Sequence, residues 1–115
     1  MKIKDFEDII AWQKARVLTI KVYRLFENQK DFGFNNQIQK ASVSVMNNIA
    51  EGFERRSNNE FKYFLNVSKG SVGEVRSMLY LALDLNKIEQ NDFDDIYALT
   101  LDISKLLSGF MKSLK

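Results

Sequence analysis

The 115-residue sequence has no histidine, no cysteine and no proline. Without cysteine there is no disulfide framework, no thiolate nucleophile and no cysteine-ligated metal. Without histidine there is no Ser-His-Asp triad, no imidazole-bound zinc and no side chain that titrates unaided near neutral pH. The missing proline, with only five glycines, suits long unbroken helices. Long apolar runs are also lacking: Met78 to Leu85 is far shorter than a bilayer span and contains Asp84. Asp5, Glu7 and Asp8 interrupt the start before any apolar run, so neither a signal peptide nor a membrane anchor is expected. A soluble, cytoplasmic, non-enzymatic protein without cofactor, metal or small-molecule substrate is the expectation.

What is present is a globular composition, 45% hydrophobic and 28% charged, of a size that fits one domain over residues 1–115. Net charge is only +2. Residues 1–56 carry 10 basic and 7 acidic side chains, whereas residues 57–115 carry 7 and 8. Any polyanion-binding surface is therefore expected in the first half.

Four stretches have helical period. Ala11, Ala15, Leu18, Val22 and Leu25 alternate steps of four and three from about Asp5 to Glu27, flanked by Ile9, Trp12, Tyr23 and Phe26. A polar connection spans Asn28 to Phe34, with Asn35 or Asn36 as the next cap and Ile38, Ser42, Val45 and Ile49 as the seam. Gly52 suits a left-handed helix end. Ser57 and Glu60 form a capping box, so a third helix starts at Asn58 and runs to about Leu85. Its seam is Phe61, Leu65, Ser68, Val72, Val75, Leu79 and Ala82, and Gly70 and Gly73 inside it suggest close helix packing. Asn91 is the expected cap of the fourth helix, whose seam is Ile96, Thr100, Ile103, Leu107, Phe110 and Leu114. Four helices with short connections specify an all-α, antiparallel up-down-up-down four-helix bundle, about 30–40 Å long.

Such bundles often hold two metals on Glu and Glu-x-x-His ligands, a pattern that a chain without histidine cannot form. A polar stripe borders the seam instead: Gln37, Ser44, Asn48 and Glu51 on the second helix, then Glu60, Ser71 and Glu74 on the third. Glu51 and Glu74 resemble an acid–base carboxylate pair, but no nucleophile or phosphate loop accompanies them. The stripe is therefore expected at an oligomer contact or a buried polar contact. Lys14, Lys21 and Arg24 fall within a helical sector of about 80°, and Lys40, Arg55 and Arg56 extend the basic set. These six are the candidate nucleic-acid-binding residues, since lysine and arginine neutralise phosphates without reading bases. The apolar excess of Met78–Leu85 predicts a homo-oligomer.

The run Phe6-Glu7-Asp8-Ile9-Ile10-Ala11-Trp12-Gln13-Lys14-Ala15 resembles the opening of four-helix-bundle proteins encoded in 23S rRNA intervening sequences. Phe32-Gly33-Phe34 with Gln37-Ile38, then Asn48-Ile49-Ala50-Glu51-Gly52, then Gly70-Ser71 with Glu74 continue the likeness in order. That family includes the accessory variability determinant of diversity-generating retroelements. The resemblance implies a ring-like homopentamer whose basic surface binds nucleic acid and a reverse transcriptase, and it gives the polar stripe a place at subunit contacts.

Overall fold

The computed structural model describes residues 3–115. A 3-10 turn, Phe6–Asp8, precedes α1 (Ile10–Phe26), α2 (Phe32–Phe53), α3 (Asn58–Asp84) and α4 (Gln90–Ser113). Neighbours in sequence are antiparallel neighbours in space, and α4 closes back on α1, giving the expected bundle of 44 × 22 × 19 Å. Its core is the seam read from the 4-3 spacing: Leu18 and Val22 of α1, Ile38, Val45 and Ile49 of α2, Leu65, Val72 and Leu79 of α3, and Ile103 and Leu107 of α4 are all fully buried. Of the flanking stripe on α1, Ile9 and Phe26 are buried, whereas Tyr23 is exposed.

Helix ends depart from the sequence reading in four places. The first helix does not begin at Asp5: Asp8 Oδ2 accepts Lys4 N and Asp5 N, each at 3.2 Å, and closes the 3-10 turn first. The second begins three residues before Asn35, because Asp31 Oδ1 accepts Phe34 N at 3.2 Å and caps it. Asn91 lies inside the first turn of α4, after an extended Glu89. Gly52 is helical, not left-handed; a Cβ there would lie 2.8 Å from Phe64 Cβ and 2.9 Å from Phe61 Cδ1, so the α2–α3 corner closes only over a bare Cα. Gly70 and Gly73 do the opposite, with open space around each, so close packing is not their role. As read from sequence, Ser57 Oγ caps α3 through Glu60 N at 3.2 Å. That helix ends in a Schellman turn: Lys87 N donates to Ala82 O at 2.8 Å and Asn86 N to Leu83 O at 3.0 Å, with Asn86 at φ 57°.

Candidate nucleic-acid interface

The six basic residues singled out from sequence do not form one surface. Lys14, Lys21 and Arg24 project from α1 toward α4, and α4 answers them with acid. Lys21 Nζ lies 2.6 Å from Asp95 Oδ2, and Lys14 Nζ lies 3.6 Å from Asp102 Oδ2. Arg24 borders the hollow that Lys21 shares with Asp92 and Asp95. Lys40 stands in a different groove, along α2, which Tyr23 of α1 also lines. Arg55 follows α2 at the other end of the bundle from Arg24; its Nη2 is 2.8 Å from Glu51 Oε2 and its guanidinium lies 4.7 Å from the centre of the Phe64 ring. Arg56 is exposed beside it. Lys14, Lys21 and Arg55 thus carry a carboxylate partner each, while Arg24, Lys40 and Arg56 take part in none of the ion pairs among the described residues.

The polar stripe divides similarly. Ser44 Oγ and Ser71 Oγ meet at 2.9 Å across the α2–α3 contact, and Asn48 Nδ2 donates to Ser44 O at 2.8 Å and to Ser44 Oγ at 2.9 Å. These three form a half-buried network on the seam's edge. Glu51 is drawn to Arg55 instead, and Gln37 and Glu74 are exposed outside the network. No carboxylate pair forms, and among the described residues no group of three or more carboxylates is placed to hold a metal.

The cations that sequence reasoning passed over lie between α3 and α4. Lys62, Lys69 and Arg76 recur every seven residues on α3, and Lys105 and Lys112 do so on α4. An interval of seven returns to nearly the same helical face about 10.5 Å further on. Antiparallel packing sets the two series across from each other: Lys69 Nζ donates to Ser108 Oγ at 2.7 Å, midway between Lys105 and Lys112. Arg76 of α3 and Lys105 and Lys112 of α4 line an open groove of about 750 Å³, together with Ala98, Leu101 and Gly109 of α4. None of these five cations joins an ion pair among the described residues. Asp102 borders the groove, turned toward Lys14.

At the groove's upper end Tyr80 stands one turn beyond Arg76, 50% exposed. Its ring meets Phe93 at 5.1 Å and Tyr97 edge-on at 5.6 Å, and Phe93 and Tyr97 stack on each other at 5.2 Å. The neighbouring Tyr97 side chain raises the Tyr80 phenol above its ordinary value. The seven-residue repeat was the signal that could have found this groove. It was masked because Asp84, Glu89, Asp92, Asp94 and Asp95 cancel these cations in any half-chain sum.

Among described residues no helix is long and apolar enough to cross a membrane. The crystal structure of a protein with unknown function from the S23 ribosomal protein family of Bacteroides thetaiotaomicron VPI-5482 matches with a TM-score of 0.85. It is 23% identical, with 90% of this chain and 100% of that chain covered, a likeness of fold. No curated protein matches. The family model described as 23S rRNA-intervening sequence protein matches residues 7–109, nearly the whole of the bundle. The chain belongs to the 23S rRNA-intervening sequence protein family.

Proposed function

We propose that this protein is a non-enzymatic, homo-oligomeric bundle that binds RNA through its backbone phosphates. The observation carrying this reading is the α3–α4 groove, where Lys69 and Arg76 face Lys105 and Lys112 outside every ion pair among the described residues. Arg24, Lys40 and Arg56 add exposed charge elsewhere. Lys14, Lys21 and Arg55 contribute less, because phosphate must displace a carboxylate from each. Those surface pairs are worth only about 0–1 kcal/mol, so the loss is partial.

Titration of labelled structured RNA at two salt concentrations tests the proposal. Micromolar or tighter binding should weaken steeply with salt, since each neutralised phosphate releases condensed counterions. Replacing Lys105 and Lys112 by Gln should lower the slope of log K against log salt by about two. No binding at low salt overturns the reading.

A second reading rests on the outer face of α3, where Tyr63, Val67, Leu81 and Leu85 are exposed. An adaptor would use that face to hold other protein chains without nucleic acid. Partners that persist after ribonuclease treatment favour it. The family resemblance suggests instead that copies of this chain cover the face, in a ring of five, with a reverse transcriptase among possible outside partners.

A further inference from the structure

Cations alone would suit any polyanion, but Ala98, Leu101 and Gly109 set an uncharged strip among these cations, with Asp102 the one carboxylate in the lining. Leu101 is 43% exposed, and Gly109 leaves open space beyond its Cα. Tyr80 continues that apolar track past Arg76, on the helical sector that carries Lys62, Lys69 and Arg76. Phe93 and Tyr97 hold its ring at an angle, so it offers an aromatic surface already fixed in place.

A duplex presents phosphates outward and keeps its bases stacked inside, so it would leave Leu101 and Tyr80 uncovered. A single strand alternates phosphates with free bases and matches cations set about an apolar strip. An acidic protein helix would also meet the cations. It needs apolar anchors at successive turns, however, and Leu101 is the one large aliphatic side chain among the residues lining this groove. The lining carboxylate, Asp102, is drawn to Lys14 at 3.6 Å; one turn before Ala98, Asp94 Oδ1 accepts from Gln90 Nε2 at 2.9 Å.

Building on the RNA-binding reading, we infer that the α3–α4 groove takes an unpaired RNA segment, with phosphates on Lys69, Arg76, Lys105 and Lys112 and a base stacked on Tyr80. Tyr80 is in this view a binding residue whose contribution is nearly independent of salt, because stacking releases no counterions. The hydroxyl is not required for stacking, so phenylalanine should serve in its place.

The test compares an unstructured 12-nucleotide pyrimidine RNA with a blunt duplex of equal length, at low and moderate salt, using the full chain. Tyr80→Ala should weaken single-strand binding roughly 5- to 150-fold, leave the salt slope unchanged and leave duplex binding unchanged. Tyr80→Phe should bind as the parent does, and Leu101→Gln, an exposed change that does not touch the sealed core, should weaken the single strand alone. Thermal melting of each variant checks that the bundle is intact. Equal affinity for both RNAs, with no effect of Tyr80→Ala, overturns the single-strand inference and leaves phosphate binding standing. No binding of either RNA at low salt overturns both. An acidic helical peptide that binds with dependence on Lys105 and Tyr80, while RNA does not, reassigns the groove to protein.

Discussion

Lys87 Nζ lies 2.9 Å from Asp31 Oδ2, joining the connection that leads into α2 to the one that leads into α4. The lysine is mostly enclosed, 15% exposed, with its ammonium 5.1 Å from the Phe34 ring centre, and Gln29 Nε2 donates to Lys87 O at 2.7 Å. Asp31 also caps α2, so one carboxylate serves both a helix start and an interhelical clasp.

The hydrogen bond from Lys87, then that from Phe34 N, holds the Asp31 carboxyl below its usual value of 3.8. A lowered folded-state pKa stabilises the fold above the unfolded value and loses that contribution as pH falls through the folded value. Urea unfolding of the parent should therefore show stability falling below about pH 4, in the window under the ordinary aspartate range. Lys87→Met should be less stable at neutral pH and flatter across that window. Parallel pH profiles for the two proteins would contradict the clasp.

Gly52 and Gly70 should respond oppositely to the same substitution. A Cβ on Gly52 meets Phe64 Cβ at 2.8 Å and Phe61 O at 3.3 Å, where backbone cannot yield cheaply. Gly52→Ala should cost about 1–3 kcal/mol by overpacking the corner. Gly70 is also helical but has nothing within 4 Å, so Gly70→Ala should gain about 0.5–1 kcal/mol from helix propensity. Chemical denaturation of both variants checks the contrast.

Charge removal should likewise have opposite consequences on the two sides of the bundle. Lys14→Gln with Lys21→Gln removes two surface ion pairs, each worth about 0–1 kcal/mol, and should change RNA affinity little. Lys105→Gln with Lys112→Gln removes no pair among the described residues, so stability should hold while affinity and its salt dependence fall. Loss of binding in the Lys14/Lys21 variant with none in the Lys105/Lys112 variant would place the interface on α1 instead.

This division explains what could and could not be read along the chain. Seams such as Leu65, Ser68, Val72, Val75 and Leu79 were legible because a 4-3 repeat has one burial solution, and Ser57 was legible because its cap is local. The start of α2 was placed too late, at Asn35 or Asn36, because asparagine is as competent a cap as Asp31. Packing settles it by burying Asn35, whose Nδ2 donates to Gln29 O at 2.8 Å and Phe26 O at 3.3 Å to pin the α1–α2 connection. The basic surface was misjudged for a related reason. Lys21 meets Asp95 from 74 residues away, and no sum over neighbouring residues reports what another helix brings to the contact.

The same packing reduces the apolar excess at the end of α3 without removing it. Met78, Leu79 and Ala82 are buried within the bundle, but Leu81 and Leu85 remain 47% and 55% exposed. They share a helical sector of about 40° with the exposed Tyr63 and Val67, well away from the sector of Lys69 and Arg76. Glu74 interrupts this stripe near its middle, where a partner chain would have to supply a donor. Burying the four apolar side chains against a second copy would favour assembly, while leaving the cationic groove outside the contact. Sedimentation at tens of micromolar should therefore reveal a species heavier than the 13.4 kDa chain. Leu81→Glu with Leu85→Glu should shift it to monomer at unchanged helix content, because neither side chain belongs to the buried core. A parent protein that sediments as a monomer at that concentration would exclude the stripe as a self-contact.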